Sequence, residues 1–502
     1  MQKAGAVDAV LEALDRRWLV VASVAGFFAA VAARAVTLPV EDADVWWIAA
    51  AGRDMLATGR VPTENAYSFT APTHPWVMHE ILFGLLYALG VDALGPAAFP
   101  LLSLLLGAIV VAIAAAATSA RAHRPASVLL AILLIVVGCR GALFAPRPSH
   151  ASLFLPVAMA ALAFAPGFGA RRACGAVLLE ILWTNAHGSF LLGVAILSIA
   201  AFAEDARGSR AARLAAAGSA AAVTLANPYG VRLHRLVDAY LFGHGTAASV
   251  VHRHIVEFWP ILESSAPFVN PFNAVALGAV VALAASALIH RRNLARAALV
   301  LGLAGLACHQ ARHVTIAVVV GVVVMHAELD ALTRGGEAPA DLGWLRRLPL
   351  AVVPGLALGT ALWALAAWSR TPEQWIAPTI GGEGVWRLAG ALPEGARTYT
   401  RFDDAGLLIW RGAPRGVRVL FDSRNDCYPA EVAEAAFALE GAGSIEIAEA
   451  TLARLGAEYA LVPEGHPVFA ALGRSGAWSA WRREGRWTAF RRREVPAAAG
   501  FP

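Results

Sequence analysis

Charge is scarce in this chain. Only 15% of its 502 residues are Asp, Glu, Lys or Arg, against about 25% in an average soluble domain. Spread over many apolar runs, and with 58% of residues hydrophobic, that deficit specifies a multi-pass helical membrane protein. Cysteine is scarce too. Cys139, Cys174, Cys308 and Cys427 have no CxxC or CxxH spacing, and three lie in apolar runs. The pattern suggests neither a disulfide framework nor a zinc site. The first apolar run is too long for a cleavable signal and no small-residue cleavage site follows it, so no processed leader is expected. The net charge of +5 does not indicate a nucleic-acid partner. The basic residues sit in short clusters between apolar runs, as loop anchors do, and form no continuous phosphate-binding face.

The apolar runs lie near 18–40, 97–118, 126–143, 149–166, 172–186, 188–204, 210–226, 271–290, 294–309, 311–329 and 349–368. Each approaches the roughly 17–25 residues that cross a bilayer as a helix, which predicts about eleven spans. Arginines test the count. Arg16 and Arg17, Arg121 and Arg124, Arg171 and Arg172, then Arg207, Arg210 and Arg213 fall on one side. Arg291, Arg292 and Arg296, then Arg334, Arg346 and Arg347 fall on that side as well. The positive-inside rule makes it cytoplasmic. The assignment requires the short apolar stretch 81–94 to lie in the membrane plane or re-enter rather than span. The chain then divides into a transmembrane domain, 1–369, with a first external loop at 41–96, and an outer tail, 370–502. Strand-like pieces at 397–399, 406–410, 417–421, 459–462 and 487–490, with helical pieces at 431–439 and 447–455, give the tail an α/β character.

This topology gathers the unusual polar residues on the outer face. Directly after the first span comes Glu41-Asp42-Ala43-Asp44-Val45-Trp46-Trp47. Carboxylates at a bilayer edge are costly unless paired or solvated, and mark a functional site by default. The same loop carries Arg53, Asp54, His79 and Glu80. Later outer turns carry Arg140 and Arg147, Asn185 and His187, Asn227-Pro228-Tyr229-Gly230, the segment 251–259 with Glu257, and Arg312 with His313. Polar groups ringed at span ends suit acid/base chemistry by carboxylates and the binding of an anionic phosphate by arginines. A transporter would place them near the midplane.

The motifs Asp42-Ala43-Asp44-Val45-Trp46-Trp47-Ile48, Gly52-Arg53, Gly59-Arg60-Val61-Pro62, Tyr67-Ser68-Phe69-Thr70 and Pro75-Trp76-Val77-Met78-His79-Glu80 resemble the first external loop of bacterial GT-C glycosyltransferases. These are relatives of the protein O-mannosyltransferases and the lipid A aminoarabinose transferase. The resemblance continues through Arg147-Pro148, Asn185-Ala186-His187-Gly188, Asn227-Pro228-Tyr229-Gly230 and segments 403–410 and 421–426, in order along nearly the whole chain. It implies a GT-C-like fold in the bacterial inner membrane, with the N-terminus cytoplasmic and the tail periplasmic. It implies a polyprenyl-phosphate-linked sugar as donor, entering from the lipid, and a glycan, lipid or protein as acceptor. It also implies a catalytic role for Asp44 or Asp42, as base or as ligand of a divalent metal, magnesium or manganese. Characterised members often show adjacent Asp-Glu where this chain has Asp-x-Asp.

In that frame Glu80 is a further carboxylate of the site. Arg147, Arg312 and His313 are candidates for the lipid phosphate, and His79, Asn185, His187 and Arg53 for other substrate contacts. Each also has a structural reading. One of Asp42 and Asp44 caps a helix beginning at Val45. Trp46 and Trp47 read as interface anchors. His79-Glu80 opens the in-plane helix, and Arg147 and Arg312 snorkel to headgroups. Asn185 and His187 form a packing network. Asp403, Asp404, Asp422, Arg424 and Asp426 read as strand-end turn residues. The rival functions are a flippase or transporter of lipid-linked sugars, which calls for ionisable residues deep within spans, and a membrane-anchored scaffold with an outer binding domain.

Overall fold

The computed structural model describes residues 16–493 apart from 121, 244–245, 264–269, 334–341, 425 and 442–443. Arg121 and Arg334, counted above on the cytoplasmic side, lie outside the described residues. The chain forms two compact units. The first comprises Met1–Leu38, Pro100–Gly230 and Ile255–Trp368, the second Pro39–Phe99, Val231–His254 and Ser369–Pro502. This division differs from a single boundary near residue 369: the first external loop is packed in one unit with the tail.

In the first unit every expected apolar run is helical, from Arg17–Thr37 to Val352–Ser369. By length and composition, four helical stretches among the described residues are able to cross a membrane: Arg17–Thr37, Ile81–Ser119, Pro271–Ile289 and Gly343–Ser369. The pair Ala311–Val324 and His326–Leu332, bent by 63°, makes a fifth if taken as one span. Others, such as Pro125–Gly138 and Leu191–Ala200, are apolar but shorter. Helix Arg17–Thr37 shows how these helices pack. Val20, Val24, Phe28, Ala32 and Val36, one every fourth residue, are buried, while Trp18 remains 65% exposed. One stripe meets protein and the remainder faces outward. Several arginines expected on the cytoplasmic side are tied into the protein. Arg213 donates from Nε to Ala163 O at 2.7 Å and from a terminal nitrogen to Ala165 O at 2.9 Å, satisfying carbonyls at the end of helix Ala151–Ala163. Arg296 pairs with Asp205 at 3.0 Å and Arg292 with Glu328 at 2.7 Å.

The second unit is built around helices Asp44–Thr58 and Ile81–Leu94. A Cβ on Gly52 would stand 1.8 Å from the Gly84 carbonyl oxygen, so the two backbones approach as only glycine permits. A 3₁₀ turn, Gly95–Ala97, separates Ile81–Leu94 from Ala98–Ser119. The tail contributes a five-stranded sheet of order β2-β1-β3-β5-β4. Its strands are β1 (Arg397–Thr400), β2 (Arg418–Val419), β3 (Tyr459–Pro463), β4 (Trp478–Glu484) and β5 (Trp487–Arg492). β1 runs parallel to β2 and β3, and β5 antiparallel to β3 and β4.

Two expectations are corrected in this unit. Residues 406–410 do not form a strand but lie in helix Ala405–Gly412, where Gly406 through Trp410 are all buried. An apolar run buried on every side carries no period, and helix and strand then read alike. Trp46 and Trp47 are not interface anchors. Trp46 is 0% and Trp47 5% exposed. The Trp46 ring lies 5.0 Å from Phe99, 6.1 Å from Trp386 and 6.5 Å from Trp410. It fills the core that joins loop to tail.

Candidate active site

The second unit gathers the first-loop carboxylates. Asp42 is buried, and its Oδ1 accepts the Asp44 backbone N–H at 2.8 Å. That bond satisfies a donor at the start of helix Asp44–Thr58 and assigns Asp42 the capping task. Asp44 is itself the first residue of that helix, one earlier than the sequence suggested. Its half-buried carboxylate takes the Trp47 indole N–H at 3.0 Å and the hydroxyl of Ser423 on the same oxygen. The helix N-terminus favours its negative charge.

Ser423 is a site residue that sequence reasoning missed. Its segment is locked in place by a fully buried pair: Arg424 donates to both oxygens of Asp422, at 2.8 and 2.7 Å. Arg424 also reaches Asn65 Oδ1 at 2.5 Å, and lies over the rings of Trp76 at 4.7 Å and Tyr67 at 5.0 Å. Tyr428 donates to Asp422 at 2.5 Å. Asp422 and Arg424, read above as turn residues, form a bidentate pair that fixes the tail segment against the first loop.

His79 Nε2 stands 2.7 Å from Glu80 Oε1, and the His79 ring lies 6.0 Å from that of Tyr240. The second Glu80 oxygen is buried and has no hydrogen-bond partner among the described residues. Asp426 belongs with this pair. Burial pushes its carboxyl up to about 7; the nearby His79 opposes the shift and Glu80 adds to it. A carboxyl poised near neutrality beside a histidine and a second carboxylate has the electrostatics of an acid/base centre. The sequence offered Asp426 only as a turn residue, because nothing in its spacing shows that the tail folds back on the loop. Arg53 is engaged with the tail: it donates to Trp410 O at 3.2 Å and lies 4.2 Å over that ring. A cleft of about 450 Å³, lined by Asp54, Arg60, Glu64, Tyr67 and Trp76 among others, opens in the same unit.

The first unit holds the other candidates. Arg147 and Arg312 address one carboxylate, Glu257, at 3.6 and 3.3 Å. Arg312 also lies 4.7 Å over Phe258. The Arg147 turn is clamped by His150, whose two ring nitrogens approach the carbonyls of Arg147 and Leu143 at 2.8 Å each. His313 is beside Arg312 in sequence, and its Nδ1 is buried without a hydrogen-bond partner among the described residues. His187 Nδ1 meets Ser152 Oγ at 2.8 Å and Ser189 Oγ at 3.0 Å. The Asn185 amide donates to Ile181 O at 2.9 Å and Ala226 O at 3.0 Å, a packing contact between turns.

Among the described residues no group of three or more His, Cys, Asp or Glu stands close enough to hold a metal ion. One oxygen each of Asp42 and Asp44 is spent on hydrogen bonds.

No family model matches the chain, and no curated protein does. Solved structures do. ArnT from Cupriavidus metallidurans, bound to undecaprenyl phosphate, superimposes with a TM-score of 0.55 at 12% identity, over 94% of this chain and 97% of that one. The same protein in the apo state gives 0.51 at 11% identity, over 92% and 95%. The oligosaccharyltransferase AglB from Archaeoglobus fulgidus, in complex with an inhibitory peptide and a dolichol-phosphate, gives 0.52 at 12% identity, over 89% and 69%. The chain has the fold that ArnT and AglB share.

Proposed function

We propose that this protein transfers a sugar from a polyprenyl-phosphate carrier to an acceptor at the outer face of the bacterial inner membrane. The chain crosses about eleven times, with its N-terminus in the cytoplasm and its tail in the periplasm. An acceptor hydroxyl or amine attacks the anomeric carbon and gives its proton to a carboxylate. The bond from that carbon to the phosphate oxygen breaks, and polyprenyl phosphate leaves. Asp44 is the base, held in one orientation by Trp47 and Ser423. Glu80, His79 and Asp426 hold protons in the same unit. Arg147 and Arg312 neutralise the charge that grows on the leaving phosphate. The cleft beside Asp54 and Tyr67 suits an acceptor that presents hydroxyl groups.

The observation that carries this reading is the gathering of Asp42, Asp44, His79, Glu80 and Asp426 in one compact unit of a GT-C fold. Two relatives of that fold, crystallised with undecaprenyl phosphate and with dolichol-phosphate, support the class of donor. The test is transfer by the full chain in nanodiscs, followed as release of polyprenyl phosphate from a polyprenyl-phosphate sugar. Asp44→Asn is expected to slow release on the order of 10²–10⁴-fold with the fold intact. Asp42→Ala is expected to cost about 1 kcal/mol of stability, the worth of a cap, and little activity. Full activity in Asp44→Asn would remove Asp44 from the mechanism.

A further inference from the structure

A glutamate addressed by two arginines subtracts one charge from the pair, and that subtraction discriminates between two lipid phosphates. Arg147 and Arg312 each take a different oxygen of Glu257, at 3.6 and 3.3 Å. Their side chains are 39% and 31% exposed, that of Glu257 21%. At these separations and exposures the pairs contribute little to folding. The glutamate is nevertheless built into place. It sits in the 3₁₀ turn Val256–Phe258, pinned by buried Phe258. The next residue, Trp259, accepts the backbone N–H of Ala311 at 2.9 Å, which ties this turn to the one bearing Arg312. Both arginine-bearing turns are also stiff, one by the His150 clamp and one by its 3₁₀ turn. Glu257 is thus a fixed negative charge, fastened to the cations it faces.

We infer that Glu257 sets the charge of the phosphate site so that the donor is held and the spent carrier let go. The inference rests on the reading that Arg147 and Arg312 take the lipid phosphate. A sugar joined through phosphate to a polyprenol is a phosphodiester with one negative charge, so Glu257 repels it least. Once the sugar has left, the carrier is a phosphomonoester with about −1.5 to −2 at neutral pH. Two arginines alone would favour that product over the donor. Glu257 opposes the extra charge, so the product is the one released. It touches no reacting atom and acts through the arginines.

The test measures binding of two probes to the full chain in nanodiscs: farnesyl phosphate, a monoester, and methyl farnesyl phosphate, a diester. Glu257→Gln is expected to tighten the monoester roughly five- to tenfold and the diester by clearly less, because the added charge meets the repelling carboxylate. Glu257→Asp, which keeps the charge, is expected to keep the wild-type ratio. Glu257→Ala gives the same readout as the Gln variant should that one fail to fold. Equal tightening of both probes, or no change in either, would overturn the inference while leaving the phosphate site in place. Arg312→Gln and Arg147→Gln separate the two ideas. Weakened binding of both probes supports the phosphate site. Unchanged binding of both would sink the site and the role of Glu257 together.

Discussion

Asp426 shows what burial does to a carboxyl that looks like a turn residue. With its value raised from about 3.8 to about 7, the folded chain keeps a proton there that the unfolded chain has lost between those two pH values. Stability falls with rising pH wherever the folded state holds more protons, so this residue costs stability progressively from pH 4 to 7 and fully above 7. Asp426→Asn is therefore expected to raise the thermal midpoint at pH 8 and leave it nearly unchanged at pH 4. A midpoint shift equal at both would show that Asp426 ionises as an ordinary surface carboxylate. Asp42 and Asp44 make the complementary point. Two residues apart, they divide the work of the helix start, and the division follows from which oxygen meets which N–H.

At the scale of elements, the chain depends on close helix crossings. Gly52 against Gly84 is one; Gly193 against Glu180 is another, where a Cβ would fall 1.9 Å from the Glu180 carboxylate. Gly52→Ala is expected to destabilise the second unit by about 1–3 kcal/mol, the usual cost of overpacking, read as a lowered thermal midpoint in detergent. A midpoint within a degree of wild type would mean that the two helices separate without loss. Most helices were legible in the sequence because apolar runs of this length have one reading. In the tail, β1, β2, β3 and β5 were legible as short strand-like pieces bounded by turns. β4 was not, since Arg482 and Arg483 make it read as a loop, and an edge strand needs no buried face. Of the site, the first-loop carboxylates were visible by position. Their partners Ser423 and Asp426 were not, since no local period encodes a contact across the chain. Glu180 was overlooked although a lone glutamate in an apolar run was plain to see. It is 0% exposed, and neither carboxylate oxygen has a hydrogen-bond partner among the described residues.

For the molecule as a whole, the distribution of arginine decides which way it faces. A reporter fused to the tail is expected to read periplasmic, and one fused in the loop near Arg291 cytoplasmic. A cytoplasmic tail would overturn the count of eleven, and the outer-face location of the site with it. The acid/base candidates lie in the second compact unit, and Arg147 and Arg312 in the first. Variants in the two units should therefore separate into effects on the acceptor and effects on the donor.

Asp44 and Ser423 are 379 residues apart, and that distance is also a time. At 5–20 residues per second a ribosome needs roughly 20–75 s to travel it. For that interval the newly made loop, with Trp46 and its carboxylates, waits without the tail that will cover it. Every copy must protect this surface from wrong partners until the tail has been made. The contact between Asp44 and Ser423 is thus among the last parts of the fold to form.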